Sequence, residues 1–209
     1  MKKLLSVIFV LITFQSFAQV KLGVKVSPSF VFNRVKIDSD SLNVTNDGSG
    51  FRPMFGLIAD IPVAENYSFS TGIGYISKTI HLKIDPVDGT EVSQKYIAQY
   101  IQIPLTIKLF TNEVSIDKKI YFQTGFNAEI QVYNENKSDG EDAIEKFNAI
   151  DFPLVFAAGS EINLGTHTVL VLGVTYQRGM INVSKRESFE SNNFSVKNDL
   201  LGLEIGLKF

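Results

Sequence analysis

The chain has 209 residues, 20 lysines and arginines against 22 aspartates and glutamates, and a formal net charge of −2. That length fits one domain with a targeting segment, and the balanced charge excludes the concentrated basic face of a nucleic-acid binder. With no cysteine there are no disulfides, thiolate metal sites or cysteine nucleophiles, while 17 Phe and 7 Tyr without Trp suit strands and membrane interfaces.

Met1-Lys2-Lys3 precedes an apolar run from Leu4 to Phe14, broken only by Ser6 and Thr13, and Ser16-Phe17-Ala18-Gln19 follows. A basic start, a short apolar core and small residues at −3 and −1 predict a secretory signal over residues 1–18, cleaved after Ala18. The mature domain then spans 19–209. No later segment offers the long apolar run of a spanning helix, so any membrane crossing falls to strands.

From Gln19 onward apolar and polar residues alternate. Val20, Leu22, Val24, Val26, Pro28, Phe30 and Phe32 share one face of the first strand, and Lys21, Gly23, Lys25, Ser27, Ser29 and Asn33 the other. A polar stretch at 36–50 predicts a loop. The second strand carries Phe51, Phe55, Leu57, Ala59, Ile61 and Val63 against Arg52, Gly56 and Asp60. After a short turn at 64–66, the third sets Tyr67, Phe69, Thr71, Ile73 and Tyr75 against Ser68, Ser70, Gly72 and Gly74. A loop over 84–95 leads to the fourth, Ile97 to Leu109, with Tyr100, Gln102, Thr106 and Lys108 on its polar side. The fifth runs from Ile120 to Val132, with Tyr121, Gln123, Gly125, Asn127, Glu129 and Gln131 on its polar side, and an acidic loop covers 134–149. The sixth places Ile150, Phe152, Leu154, Phe156 and Ile162 against Asp151, Gly159 and Glu161. The seventh sets Leu170, Leu172, Val174 and Tyr176 against Gly173, Thr175, Gln177 and Gly179. A polar loop over 184–198 returns the chain to Leu201, Leu203, Ile205, Leu207 and Phe209, the greasy face of the last strand.

Eight strands of roughly 9 to 11 residues, joined alternately by long and short connections, predict an all-β fold. It is an eight-stranded antiparallel up-and-down transmembrane β-barrel with long extracellular loops and shorter periplasmic turns. The first and last strands must pair, because an unpaired edge invites association.

Glycine decides which face is inside. Ten of the 15 glycines sit on the polar faces of strands and the rest in loops or turns. A water-facing strand gains nothing from glycine, whereas the interior of a narrow eight-stranded barrel has room only for small residues among larger ones. The apolar face therefore points at lipid. The polar face also carries charges of both signs, and buried charge survives only when paired. Lys21, Lys25, Arg52, Asp60, Lys108, Glu129, Glu161 and Glu204 are expected to form a structural lumen network, with Lys25 paired to Glu204 and Asp60 to Lys21. Phe209, Tyr67, Phe69 and Phe122 predict an inner aromatic girdle; Phe30, Phe32, Phe51, Phe152 and Tyr176 predict an outer one. Pro28, Pro53, Pro104 and Pro153 fall within strands and predict bulges or shortened strands there.

Leu22-Gly-Val-Lys25, Gly50-Phe51 with Gly56-Leu57, Tyr100-Ile-Gln-Ile-Pro-Leu-Thr-Ile-Lys108, Tyr176-Gln-Arg-Gly179 with Ile181-Asn182, and the closing Leu203-Glu-Ile-Gly-Leu-Lys-Phe209 occur in this order. In these the chain resembles the small outer-membrane β-barrels of Bacteroidota, described as PorT-like or porin-family. The resemblance implies an integral protein of the outer membrane whose terminal Phe209 is the signal read by the barrel-assembly machinery. It also implies contact with outer-membrane lipids and lipopolysaccharide, and an association of some members with type IX secretion.

No catalytic or metal site and no cofactor is expected. Ser77, Thr79 and His81 share a face, but Ser77 and His81 are roughly 13 Å apart by strand rise, too far for a nucleophile and its base. His167 lies in a turn. Asp38-Ser-Asp40 and Asp139-Gly-Glu-Asp142 lack the ligand spacing of a calcium loop. Three function classes remain: a filled, non-enzymatic barrel acting through its loops on an envelope or secretion partner; a narrow pore for ions or small solutes; and a lipid A-modifying enzyme, against which the spacing of Ser77 and His81 counts.

Overall fold

In the computed structural model the described residues are 20–37, 42–46, 48–86, 92–137, 144–187 and 194–209. The proposed signal segment 1–18 lies outside them, as do both acidic loop motifs, Asp38–Asp40 and Asp139–Asp142.

The strands are β1 (Lys21–Ile37), β2 (Leu42–Asn46), β3 (Ser49–Ala64), β4 (Tyr67–Pro86), β5 (Val92–Phe110) and β6 (Lys118–Asn136). They continue with β7 (Ile144–Phe147), β8 (Ile150–Asp151), β9 (Leu154–Asn163), β10 (Val169–Arg178), β11 (Ser184–Glu187) and β12 (Phe194–Lys208). Eight of them pair antiparallel in a ring, β1-β3-β4-β5-β6-β9-β10-β12, which closes where β12 meets β1. Val24 faces Leu207 and Phe30 faces Leu201 across that seam, and the Phe209 N–H donates to the Leu22 carbonyl at 2.7 Å. Closure leaves the ring without a free edge.

Short turns join the strands at one end, and both described termini lie there; long strands project at the other. The projecting strands exceed the expected length, with 17 residues in β1, 20 in β4 and 19 in each of β5 and β6. Much of what was expected as loop is strand. The β4–β5 ladder runs out to Ile84 and Val92, β2 adds along β4, β7 pairs with β11, and β12 begins at Phe194. Alternation marks a strand only where one face is apolar and the other polar. Beyond that belt hydrogen bonding continues after the pattern has stopped.

Three of the four strand prolines cause neither a bulge nor a break. Pro28 and Pro53 face each other. The β1–β12 ladder skips the rungs at Ser27 and Pro28, the β3–β4 ladder begins just after Pro53, and the β4–β5 ladder skips the rungs around Pro104. Each proline thus interrupts one ladder while the opposite neighbour stays bonded. Only Pro153 behaves as expected, separating β8 from β9.

Side chains alternate as the barrel requires. Leu22, Val24, Leu57, Ile73, Phe122, Ile130, Val174, Leu201, Leu203 and Ile205 are all exposed on the outer wall, while Ser29, Asp60, Lys78, Gln102, Lys108, Glu129 and Lys208 are buried inside. A continuous belt of exposed Leu, Ile, Val and Phe on this scale is stable only against hydrocarbon. Phe209, Tyr67 and Phe122 are exposed aromatics of this wall, and Phe30 and Phe51 stack edge to face at 5.5 Å on its upper part.

Candidate functional site

The lumen is filled in layers. Nearest the short turns, Lys208 on β12 reaches Asp60 on β3 at 2.7 Å and Glu161 on β9 at 2.6 Å. Lys108 on β5 reaches the same two carboxylates at 3.0 and 3.3 Å. Two ammonium groups thus alternate with two carboxylates across the barrel, so each charge has two opposite neighbours, and the Ser70 hydroxyl adds a 2.5 Å bond to Asp60. Above this tetrad, Glu204 accepts from Lys25 and from the Tyr121 hydroxyl, each at 3.0 Å. Tyr121 lies flat across glycines. Gly159 faces Tyr121 in the β6–β9 ladder and Gly173 in the β9–β10 ladder, and a Cβ on Gly173 would collide with the Tyr121 hydroxyl. Gly159 and Gly173 are therefore the space that one aromatic ring fills.

Higher still, Lys78 donates to Glu129 at 2.6 Å, Gln102 donates to Glu129 at 2.5 Å and to Gln177 at 3.1 Å, and the Lys78 ammonium lies 5.1 Å from the Tyr100 ring centroid. The side chains of this ion pair are 1% and 0% exposed, so it survives only because each member satisfies the other. An apolar layer of Val31, Met54, Ile76, Ala98, Tyr100 and Leu200 covers it. A second apolar cluster, with Ile80, Leu82, Tyr96 and Val196 from the ring and Ile144 and Val183 from beside it, caps the projecting end. The Ile144 N–H donates to the Tyr96 hydroxyl at 3.2 Å, and Phe147 packs on Tyr96 at 5.5 Å. Beside Lys25, Ser70, Lys108 and Glu204 a cavity of about 20 Å³ is left, room for about one water.

Residues 16–185 match the family described as outer membrane protein beta-barrel domain. The chain belongs to this family. It is an integral outer-membrane barrel, and in such barrels the short turns face the periplasm and the long extensions the exterior. Among solved structures it is similar to OprG of Pseudomonas aeruginosa, at 13% identity over 90% of this chain and 96% of that one, with a TM-score of 0.54. It is also similar to Neisserial surface protein A (NspA), at 13% identity over 90% and 95% of the two chains, with a TM-score of 0.51. At that identity the likeness is one of fold. No curated protein matches the chain.

Within this outer-membrane barrel the sequence-derived residues fall as follows. Lys25 and Glu204 meet at 3.0 Å, and Lys108, Glu129 and Glu161 lie in the lumen. The Asp60–Lys21 pairing needs correction. The two are ladder partners, but Lys21 is exposed at the periplasmic rim, where water solvates its ammonium, and Asp60 bonds Lys108 and Lys208 instead. Arg52 also departs from the expected network: it donates to the Thr79 hydroxyl at 2.8 Å rather than to a carboxylate. Lys78 and Lys208 stand outside the expected network, and only the fold shows that they anchor two of the three polar layers. Gln102 and Gln177 gave no sequence signal beyond their face. Tyr121 did have one, since two glycines on neighbouring strands face its rung.

Ser77 and His81 stand on β4 at the exterior end, four residues apart, and among the described residues no three His, Asp or Glu side chains gather as a metal site needs.

Proposed function

We propose that this barrel is a sealed, non-enzymatic scaffold that carries nothing through its lumen and works through the strands and turns it presents on either side of the membrane. One observation carries this reading. Every level of the described lumen is occupied, from the Asp60–Lys108–Glu161–Lys208 tetrad through Tyr121 and the Lys78–Glu129 pair to the apolar layer around Met54 and Leu200. An ion crossing this path would have to part a buried ion pair and then enter an apolar layer, and both steps are costly. The competing reading is a narrow pore for ions or small solutes. Purified protein in planar bilayers separates the two: a flat current trace is expected, and reproducible conductance steps overturn the sealed reading.

The surfaces left to do the work are the exterior extensions of β4, β5 and β6 with β2 beside them, and the periplasmic turn around Ile116. The partner is an envelope protein. An accessory role in type IX secretion rests on the resemblance to PorT-like barrels of Bacteroidota, and unchanged cargo export after gene deletion would remove it. The strand spacing of Ser77 and His81 speaks against lipid A modification, which mass spectrometry of lipid A with and without the protein tests. Cleavage after Ala18 leaves Gln19 as the mature N-terminus, which the intact mass of the exported protein checks.

A further inference from the structure

On the outer wall the greasy face of β12 runs Phe209, Leu207, Ile205, Leu203, Leu201, then Asp199 and Lys197. Ten residues from Phe209 to Asp199 cover roughly 33 Å along the strand, or about 25 Å of membrane depth at the usual tilt of about 40°. That equals the height of the apolar band of such barrels, so Asp199 marks the outer edge of the hydrocarbon and Lys197 lies at the level of the lipid headgroups.

Four cations gather at this level on three adjacent strands. Val35, Val196 and Gln177 point inward, so Arg34 and Lys36 on β1, Lys197 on β12 and Arg178 on β10 point outward. Arg34 faces Lys197 directly, and Arg178 faces Asp199 two rungs below. Among the described residues Asp199 is the one carboxylate the ladders place beside them, and it is already committed. It accepts two bonds from Arg34 at 2.7 and 3.0 Å, one from the Tyr176 hydroxyl at 3.0 Å and one from the Gly179 N–H at 3.1 Å. Among the described residues no ion pair engages Lys36, Lys197 or Arg178. The patch is about 10 Å across, two strand spacings, and its described residues carry an excess of three positive charges.

A second observation lies directly beneath. A recess of about 420 Å³ opens in the wall two rungs below Arg178. Tyr176, Phe156 and Thr124 line its upper rung, and Val174, Ala158, Phe122 and Leu109 the lower one. The small side chains of Thr124 and Ala158 form a notch between the Phe122 and Phe156 rings. Because ladders slant with strand tilt, the recess runs from Tyr176, just inside the outer edge of the hydrocarbon, down to Leu109 beside the periplasmic end of β5.

We propose that Arg178, Lys197, Lys36 and Arg34 hold the phosphate of an outer-leaflet phosphorylated glycolipid, and that one of its acyl chains occupies the upper end of the recess, along Tyr176 and Phe156. Guanidinium and ammonium groups at a membrane surface bind phosphate by charge-assisted hydrogen bonds, and the spacing here suits one phosphate bridging two strands. Arg34 is held in place by Asp199, so the other three cations can be neutralised without disturbing the wall.

The test uses the full mature chain in phosphatidylcholine nanodiscs doped with diphosphoryl lipid A, or with the same lipid A after dephosphorylation. Retained lipid is counted by native mass spectrometry after transfer to detergent. Wild type is expected to retain the phosphorylated lipid, the Arg178→Gln/Lys197→Gln/Lys36→Gln variant to bind it about 100-fold more weakly, and a Lys21→Gln/Lys118→Gln/Lys119→Gln variant at the periplasmic rim to match wild type. Equal retention by the first variant and wild type overturns the site, as does equal retention of the dephosphorylated lipid by wild type. If the triple variant fails to give a folded gel band, the three single variants, each expected to lose about fivefold, decide the matter in the same way. A site that binds phosphate but ignores acyl-chain length overturns the role of the recess.

Discussion

Replacing Lys78 with methionine tests the sealed lumen most directly. Methionine keeps an unbranched stem beside Tyr100 but removes the ammonium, leaving Glu129 with the single donor Gln102 in a site where its side chain has no exposure. Breaking a buried pair by removing one partner costs about 3–5 kcal/mol, because the other charge is left uncompensated. The folded-to-unfolded ratio should fall by a factor of about 10³. Adding Glu129→Gln removes the stranded charge, so the double variant should lie within about 1 kcal/mol of wild type, with a coupling energy of about 2–4 kcal/mol. The chain has no tryptophan, so urea unfolding from lipid vesicles is followed by far-UV circular dichroism and by the mobility of the folded band. A Lys78→Met loss below about 1 kcal/mol, or a double variant no better than the single, would mean that water reaches Glu129. The lumen would then not be sealed.

Four further outcomes follow from the same geometry. Leu203→Arg places a charge at mid-depth on the lipid face and should cost about 2–4 kcal/mol in the same unfolding assay; a neutral result would reverse the assignment of faces. Gly173→Val drives a side chain into the Tyr121 hydroxyl and should cost about 1–3 kcal/mol, whereas a stability equal to wild type would show that the ring does not lie there. Deleting Phe209, which is 63% exposed, should lower the amount of barrel in the outer membrane several-fold while changing the refolded protein's stability by about 1 kcal/mol or less. Unimpaired assembly would remove Phe209 as the signal. Ile144→Asp loosens the exterior cap, yet bilayer recordings should stay silent because the Met54–Leu200 layer and the Lys78–Glu129 pair remain beneath it. Conductance steps in this variant would place the seal in the cap.

Much of the barrel was legible from alternation because a strand between lipid and a polar lumen must alternate. Glycine placement told inside from outside, and the adjacency of the first and last strands brought Lys25 to Glu204. The pattern failed where both faces are apolar. Met54, Ile76, Ile80, Leu82 and Tyr96 point into the barrel and form its exterior plugs, yet in the sequence they merely extend a greasy run. It failed again at the proline rungs, since a residue's bonding partner across a ladder is not a local property.

The chain's own order of residues thus determined the number of ring strands, their faces and the compartment they suit, because each depends on neighbours one or two positions apart. Which charges meet was decided only by the closed ring. The stagger between strands sets the depth of every lumen side chain, and long side chains such as Lys208 and Lys78 reach across that stagger to carboxylates far away in sequence. The same closure set Arg34, Lys197 and Arg178 side by side on three strands, a surface that no single stretch of the chain contains.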